Sequence, residues 1–575
     1  MGAAAAPARA APEPAAPADR IAERWAALQR PDATFPDSIR PDTHTWGRYG
    51  QAGVGYGLML AGIRGGRPEW VEAGARAQAY AIVRALDRSS VFESMLIASG
   101  YNLLRLRAPA SPTFAAQRAL WEDYLRTIEP VNARVDAPRL PSNKYLVEAV
   151  AYFELARSGL RSPIPGTALH HRGWARRRGL DIVNRLVPGR VRAMHGSVRG
   201  QSVTALSDRI TQPLAYHSLT AALLARAIDV AGRGVSRAAR RALRVGVRTI
   251  WAFQGPDGDL AYFGHSQGQS WALALAAYAA ARAAGGSCSR RARAFRSVAE
   301  RALGRLAARH PIGPTGIAIV PSAAGPATIP AIDDYASEVV YNGLTLTALG
   351  WAASSGPRGA GCRPGRLLSD RRRASAVLPF ESARFATVRR GRVWMAVKQR
   401  SQRRDGRAAF GIRALKRRGP DGAWVDLLPA APALTGRPRG SFGPALLLRS
   451  GALAEPRGTR IAVRGGAIVV RGGWRHGGRW VRRGARFSFT PFGQGARIAV
   501  STRKGDRVVF SALTNGPPEL ARRGVADALA RTRASAPAQV VSVGPFGSSS
   551  SLSVWRSDLT VRATGPRVRF RVTAR

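Results

Sequence analysis

The sequence predicts helical hairpins set in a ring or solenoid, followed by an antiparallel β-sandwich. Three observations carry this. From about residue 21 to 356, apolar residues recur at i, i+3, i+4 and i+7 with few β-branched runs, which is the period of a helix. Within that span, helices that are apolar nearly all round alternate with helices that are apolar on one face. Beyond a Gly/Pro/Arg-rich connector the period falls to two.

Residues 1–20, MGAAAAPARAAPEPAAPADR, form an Ala/Pro-rich leader expected to be disordered. Segments of the all-round apolar kind begin at Arg48, Val91, Asn143, Ala215, Ser266 and Tyr341. Most of them end in Gly, the preferred residue just past a helix C-terminus. PEWVEAGARAQAYAIVRAL, SPTFAAQRALWEDYLRTI, SRAARRALRVGVRTIWAF and SRRARAFRSVAERALGRLAARH lie between them, with Arg and Glu on one face. Buried helices that alternate with amphipathic ones suit an inner layer clad by an outer layer. The connector PRGAGCRPGRLLSDRRRASAV, 357–377, is the expected boundary. From 378 to 575, strand-turn-strand units such as GTRIAVRGGAIVVRGGW recur at the spacing of a sandwich. The expected division is therefore a leader at 1–20, a helical domain at 21–356, a linker at 357–377 and a sandwich at 378–575.

The chain has 575 residues and is 45% apolar, enough for a large core. No window holds the roughly 18 consecutive apolar residues of a membrane span. Lys and Arg total 89 against 35 Asp and Glu, a net charge of +54. Two explanations stand side by side: a field that attracts a polyanion, and a GC-rich coding bias that favours Arg. Only Lys144, Lys398, Lys416 and Lys504 are lysines, which the bias explains; it accounts less well for the scarcity of acids. Cys288 and Cys362 sit in Gly/Arg-rich connectors without a CxxC motif, so zinc is not expected. A disulfide and two free thiols both fit. The Ala-Arg-Ala leader suits the start of an exported, secreted or cell-surface protein, with a cytoplasmic one as the alternative.

Three patches carry a family resemblance: Asn143 in SNKYLVEA, Tyr216-His217 in RITQPLAYHSLTAALL, and FESARFATVRRGRVWMAVK. An incomplete (α/α) toroid followed by an antiparallel β-sandwich, with a Tyr-His pair opening an inner helix, resembles the polysaccharide lyases of the heparinase II/III and alginate lyase type. The resemblance covers most of the chain in architecture and short patches in motif. The sequence departs from the pattern in places. Asp208-Arg209-Ile210-Thr211-Gln212 precedes the pair where an acid and a Ser are common. Gly264-His265 stands where Gly-Asp is common, and His476 is the only His of the β region.

The resemblance implies β-elimination on an acidic, uronate-containing polysaccharide. That chemistry needs the substrate carboxylate neutralised, the C5 proton removed and the leaving oxygen protonated. Asn, Gln, Tyr, His and Arg supply these functions, with no metal or cofactor. Such residues gather at the starts of the apolar helices, where free N–H groups and the helix dipole favour anions. Tyr216, His217, His265 and Tyr341 are the candidate catalytic residues. Asn143, Gln212, Gln267, Gln269, Asn342, Trp46 and Tyr49 are the candidate substrate contacts, and Trp271 is a further stacking candidate. Each has a plainer role as a cap or core residue: Asn143 suits an N-cap, and Ser266 is placed to cap the helix that follows.

Two other functions fit the same sequence. A glycoside hydrolase on the same helices would need paired carboxylates, with Asp257, Asp259, Asp333, Asp334 and Glu338 as candidates. A non-catalytic polysaccharide- or polyanion-binding protein would need neither set. A nucleic-acid partner is disfavoured, because no recognised motif is present and the basic residues are spread along the whole chain. The sequence does not set the oligomeric state.

Overall fold

The computed structural model of the protein describes residues 13–37, 47–85, 90–129, 142–206, 213–260, 262, 266, 268–319, 337–355, 362–378, 384–400, 410–428, 443–515, 517–527, 530–545 and 554–575. Its helices are α1 (Ala15–Leu28), α2 (Gly47–Gly65), α3 (Pro68–Ala85), α4 (Val91–Arg107), α5 (Pro112–Thr127), α6 (Ser142–Ser158), α7 (Trp174–Asp181), α8 (Val187–Ala193), α9 (Pro213–Ala231), α10 (Arg237–Phe253), α11 (Ser270–Ala284), α12 (Arg290–Arg309) and α13 (Glu338–Ser354). A π turn over Ile182–Leu186 joins α7 to α8.

The apolar helices α2, α4, α6, α9, α11 and α13 pack in that order, and α13 returns to pack on α2. The expectation of an incomplete toroid is corrected here, because the inner ring closes. Glycines make the closure. A methyl group at Gly57 would lie 2.6 Å from Leu346 Cγ, and one at Gly343 would lie 2.9 Å from the Val54 nitrogen. Any larger side chain at these positions would force α2 and α13 apart. Neighbouring inner helices meet at equal depth: Asn102 with Glu154, Glu154 with Arg226, Tyr216 with Trp271, Tyr278 with Trp351. All six therefore run parallel, with their N-termini at one mouth. The outer helices clad them, among them α3 on α2, α10 on α9 and α12 on α11.

The helical part departs from expectation in two further ways. α1 begins inside the segment assigned to the leader. Its Ala18, Ile21, Ala22 and Trp25 are buried against the ring, and Pro17 is tolerated because the first helical turn needs no N–H donor. Two small hairpins, His195–Val198 with Gln201–Thr204 and Ile312–Gly313 with Gly316–Ile317, interrupt the helices. The segment read as a linker is packed, with Leu367 and Leu368 buried, and a strand already starts at Arg373.

A sandwich was expected beyond this point. The strands instead build one twelve-stranded antiparallel sheet between Gly443 and Ala574, together with a five-stranded sheet over Arg373–Asp426. One core joins the two sheets, with Met395 and Phe410 meeting Phe487, Phe489 and Trp474. Bulges at Gly458/Arg460, Gly472/Gly473 and Trp474/Arg475 bend the long strands. Curved strands of this kind let a single ladder wrap a core that two flat sheets would otherwise share.

Cys288 and Cys362 form a disulfide with a Cα–Cα distance of 5.4 Å. It ties the α11–α12 connector to the chain beyond α13 and spans 74 residues. Closing a loop of that size stabilises by about 4 kcal/mol in the chain-entropy account. The double variant Cys288→Ser/Cys362→Ser should melt several degrees below the wild type. A reductant should lower the wild-type melting temperature and leave the variant's unchanged.

Candidate active site at the helix mouth

Five inner helices bring aromatic side chains to the N-terminal mouth. Tyr216 of α9 meets Trp271 of α11 edge-on at 5.7 Å, and Trp271 lies 6.2 Å from Tyr341 of α13. Tyr49 of α2 packs on Phe92 of α4 at 5.9 Å. Burial, with Tyr216 close by, raises the Tyr49 phenol well above its ordinary range. Tyr49 is thus a proton donor at neutral pH. Tyr49 and Tyr216 are half-buried, and Trp271 and Tyr341 are buried.

Trp271 is the hub of this cluster. Among the described residues no acceptor reaches its indole Nε1, and none donates to the buried Gln269 Oε1 beside it. Orphaned buried polar atoms are rare and call for an explanation. Here they sit at the start of α11, beside the aromatic cluster.

Asn143 is buried in the first turn of α6, and its Oδ1 accepts the Lys144 N–H at 2.8 Å. It orients its amide within the helix instead of standing before it as an N-cap. Gln269 takes the N-cap position of α11 without a side-chain cap bond. Ser266 is therefore not the cap of that helix. It lies four residues before α11 starts, buried and in the left-handed region at φ 57°.

Two candidates are corrected. His217 does not face the cleft. Its Nδ1 accepts the Leu206 N–H at 3.0 Å and its Nε2 donates to the Gly246 carbonyl at 2.8 Å. Burial outweighs that carbonyl and pushes the imidazole down to about 4, so it stays neutral and fastens the 195–204 hairpin and α10 to α9. Asn342 is likewise spent on scaffold. Its Oδ1 accepts the Ile317 N–H at 2.8 Å, and its Nδ2 donates to the carbonyls of Ile317 and Glu338. It pins the 312–317 hairpin against α13. Trp46, Gln212, His265 and Gln267 lie outside the described residues, as do Asp333 and Asp334.

The acids Asp257 and Asp259 follow α10 and belong to a different structure. Lys416, fully buried on the strand Gly411–Arg418, donates to Asp257 at 2.8 Å, to Asp259 at 3.0 Å and to Asp426. Arg305 of α12 reaches Asp257 at 2.6 Å and Asp426 at 3.1 Å. Burial opposes ionisation of Asp259 and Asp426, but Lys416 and Arg305 outweigh it and hold both carboxyls below their ordinary range. The three carboxylates are close enough together to share a cation, and the Lys416 ammonium already fills that place. The cluster clamps the helical part to the strands.

The opposite, C-terminal end of the ring holds a polar centre that the sequence reading missed. Arg226 donates to Glu154 at 2.8 Å and to Tyr56 at 3.2 Å, and lies over the Trp351 ring. A cavity of about 750 Å³ opens beside it, lined in part by Ser99, Asn102 and Arg107. Arginines in the last turns of α2, α4 and α6 meet the negative helix ends there.

No family model and no curated protein matches the chain. Solved structures do. A variant of the chondroitin AC lyase of Streptomyces coelicolor A3 superposes with a TM-score of 0.50 at 13% identity, covering 100% of this chain and 80% of that one. The same lyase in complex with chondroitin sulphate gives 0.49 at 14%, covering 100% and 81%. An α-1,6-mannanase of Salegentibacter sp. HEL1_6 gives 0.40 at 10%, covering 60% of this chain and 99% of that one. At these identities the likeness to the lyase is one of fold.

Proposed function

We propose that the chain is a polysaccharide lyase-like enzyme that cleaves an acidic, uronate-containing polysaccharide by β-elimination at the N-terminal mouth of the helix ring. The observation that carries this reading is the convergence of Tyr49, Tyr216, Trp271 and Tyr341 on one end of four parallel helices. A polymer with a carboxylate on each uronate suits a mouth rimmed by helix N-termini.

In this reading Tyr216 acts as base and then as acid. Its phenolate takes the C5 proton, the electron pair forms the C4–C5 double bond, and the C4–O bond breaks. The same proton then passes from Tyr216 to the leaving oxygen, so the enzyme ends as it began. Asn143 and Gln269 are assigned to the substrate carboxylate, with His265 and Gln267 as further ligands, so that charge developing at C5 is spread onto neutral amides. Tyr49 and Tyr341 are assigned as hydroxyl donors, and the buried Trp271 as the ring that holds Tyr216 and Tyr341 in place. The Cys288–Cys362 disulfide supports a place of action outside the cytoplasm.

Hydrolysis is the second reading. Two of its candidate acids, Asp257 and Asp259, are committed to Lys416 and Arg305, which favours elimination. Incubation with a panel of uronate polymers tests the choice. The expected result is a rise in near-ultraviolet absorbance from an unsaturated product with at least one polymer. New reducing ends without absorbance would support hydrolysis, and binding without either would support a non-catalytic role.

A further inference from the structure

The strands between Glu455 and Asp506 contain no carboxylate at all, nor does the last strand, Arg567–Ala574. On the solvent face of the large sheet their arginines stand in register. Arg460 lies directly opposite Arg471, and Arg471 directly opposite Arg486. The Arg486 N–H donates to Ser501 Oγ, and Ser501 is paired with Arg567. One pitch along, Arg497 is paired with Arg571. These arginines are exposed, and among the described residues none of the six forms an ion pair.

Like charges directly opposite across strands repel and destabilise a sheet. Some other surfaces of the same chain interleave acids among their arginines. On α5, Arg118 and Arg126 flank Glu122, and between α7 and α8, Arg178 and Arg185 flank Asp181. On the sheet face the arginines stand directly opposed across neighbouring strands with no acid among them. With strands about 4.8 Å apart, a row across five strands runs about 19 Å.

We propose that this arginine ladder is a second docking site, separate from the helix mouth, for a linear acidic polysaccharide lying across the strands. Guanidinium groups pair in bidentate fashion with carboxylates or sulfates, and a repeating anion would relieve the repulsion at each strand. Single-stranded nucleic acid fits less well, because it needs open aromatic platforms. The ring of Phe492 is covered by Arg497 and Arg571, and that of Trp480 by Arg475 and Arg483. The choice of polysaccharide rests on the function proposed above.

The test uses the full chain carrying Arg460→Gln/Arg471→Gln/Arg486→Gln. Long chondroitin sulphate and alginate serve as probes, with duplex DNA and neutral dextran alongside. The ladder variant should bind the acidic polymers at least tenfold more weakly than wild type and with a flatter salt dependence. It should melt normally and turn over short oligosaccharides unchanged. Arg237→Gln/Arg240→Gln/Arg241→Gln, which removes the same charge from the exposed face of α10, should bind as wild type. Equal weakening by both triples would reduce the effect to net charge and overturn the ladder. So would unweakened binding by the ladder variant, or duplex DNA binding as tightly as the polysaccharides. Loss of binding in the ladder variant of a chain that cleaves nothing would uphold the ladder and count only against the proposed activity.

Discussion

Replacing Lys416 with Met should destabilise the protein by about 3–5 kcal/mol at pH 7, because it strips the central cation from three carboxylates and leaves buried charge uncompensated. Arg305 alone then faces Asp257, Asp259 and Asp426. The loss should depend on pH. In the wild type, Asp259 and Asp426 are held below their ordinary range, so their contribution is present above about pH 4 and is lost as pH falls through their lower folded values. Without Lys416 that depression is largely gone, and the carboxyls take up protons readily. The deficit of Lys416→Met relative to wild type should therefore shrink as pH falls below about 4. Thermal melts of both proteins at pH 7 and pH 3 check this. An equal deficit at the two values would show that Lys416 acts through packing alone.

Tyr216→Phe should leave the melting temperature unchanged and lower kcat by about a thousandfold on any polymer the wild type cleaves. The phenyl ring keeps its edge-on contact with Trp271, so only the hydroxyl is lost. Tyr341→Phe should cost less, about tenfold, because its assigned part is one hydrogen bond. Comparable kcat for Tyr216→Phe and wild type would remove Tyr216 from the chemistry.

Much of the helical architecture is legible in the sequence because helices buried on all sides have no polar face to hide. The segments starting at Arg48, Val91, Asn143, Ala215, Ser266 and Tyr341 each fall on one of the six helices of the inner ring. Closure of the ring was also written there, in the glycines of GRYGQAGVGYG facing Gly343, but small-residue spacing shows only that a close approach is possible and not which helix makes it. Only the start of α1 escaped, because residues 15–20 have the Ala/Pro-rich composition of a leader.

The aromatic cluster of the candidate site was legible in part. Their place at helix starts singled out Tyr49, Tyr216, Trp271 and Tyr341 as candidates, since position in the first turn fixes which mouth a side chain approaches. His217 and Asn342 share that position and yet turn to backbone groups of Leu206, Gly246 and Ile317. Those partners arrive from hairpins too short for a periodic signal. Lys416 carried a signal that went unread. In a chain that uses arginine nearly everywhere, a lysine marks a place where a compact ammonium among three carboxylates suits better than a planar guanidinium.

The central claim is that the aromatic helix mouth performs β-elimination. Mass analysis of products from a defined uronate oligosaccharide, with wild type and Tyr216→Phe side by side, tests it most directly. Elimination splits the chain without adding water, so the two wild-type fragments should sum to the mass of the parent, and the variant should leave the parent intact. Fragments whose masses sum to the parent plus one water, or equal cleavage by the variant, would contradict the account.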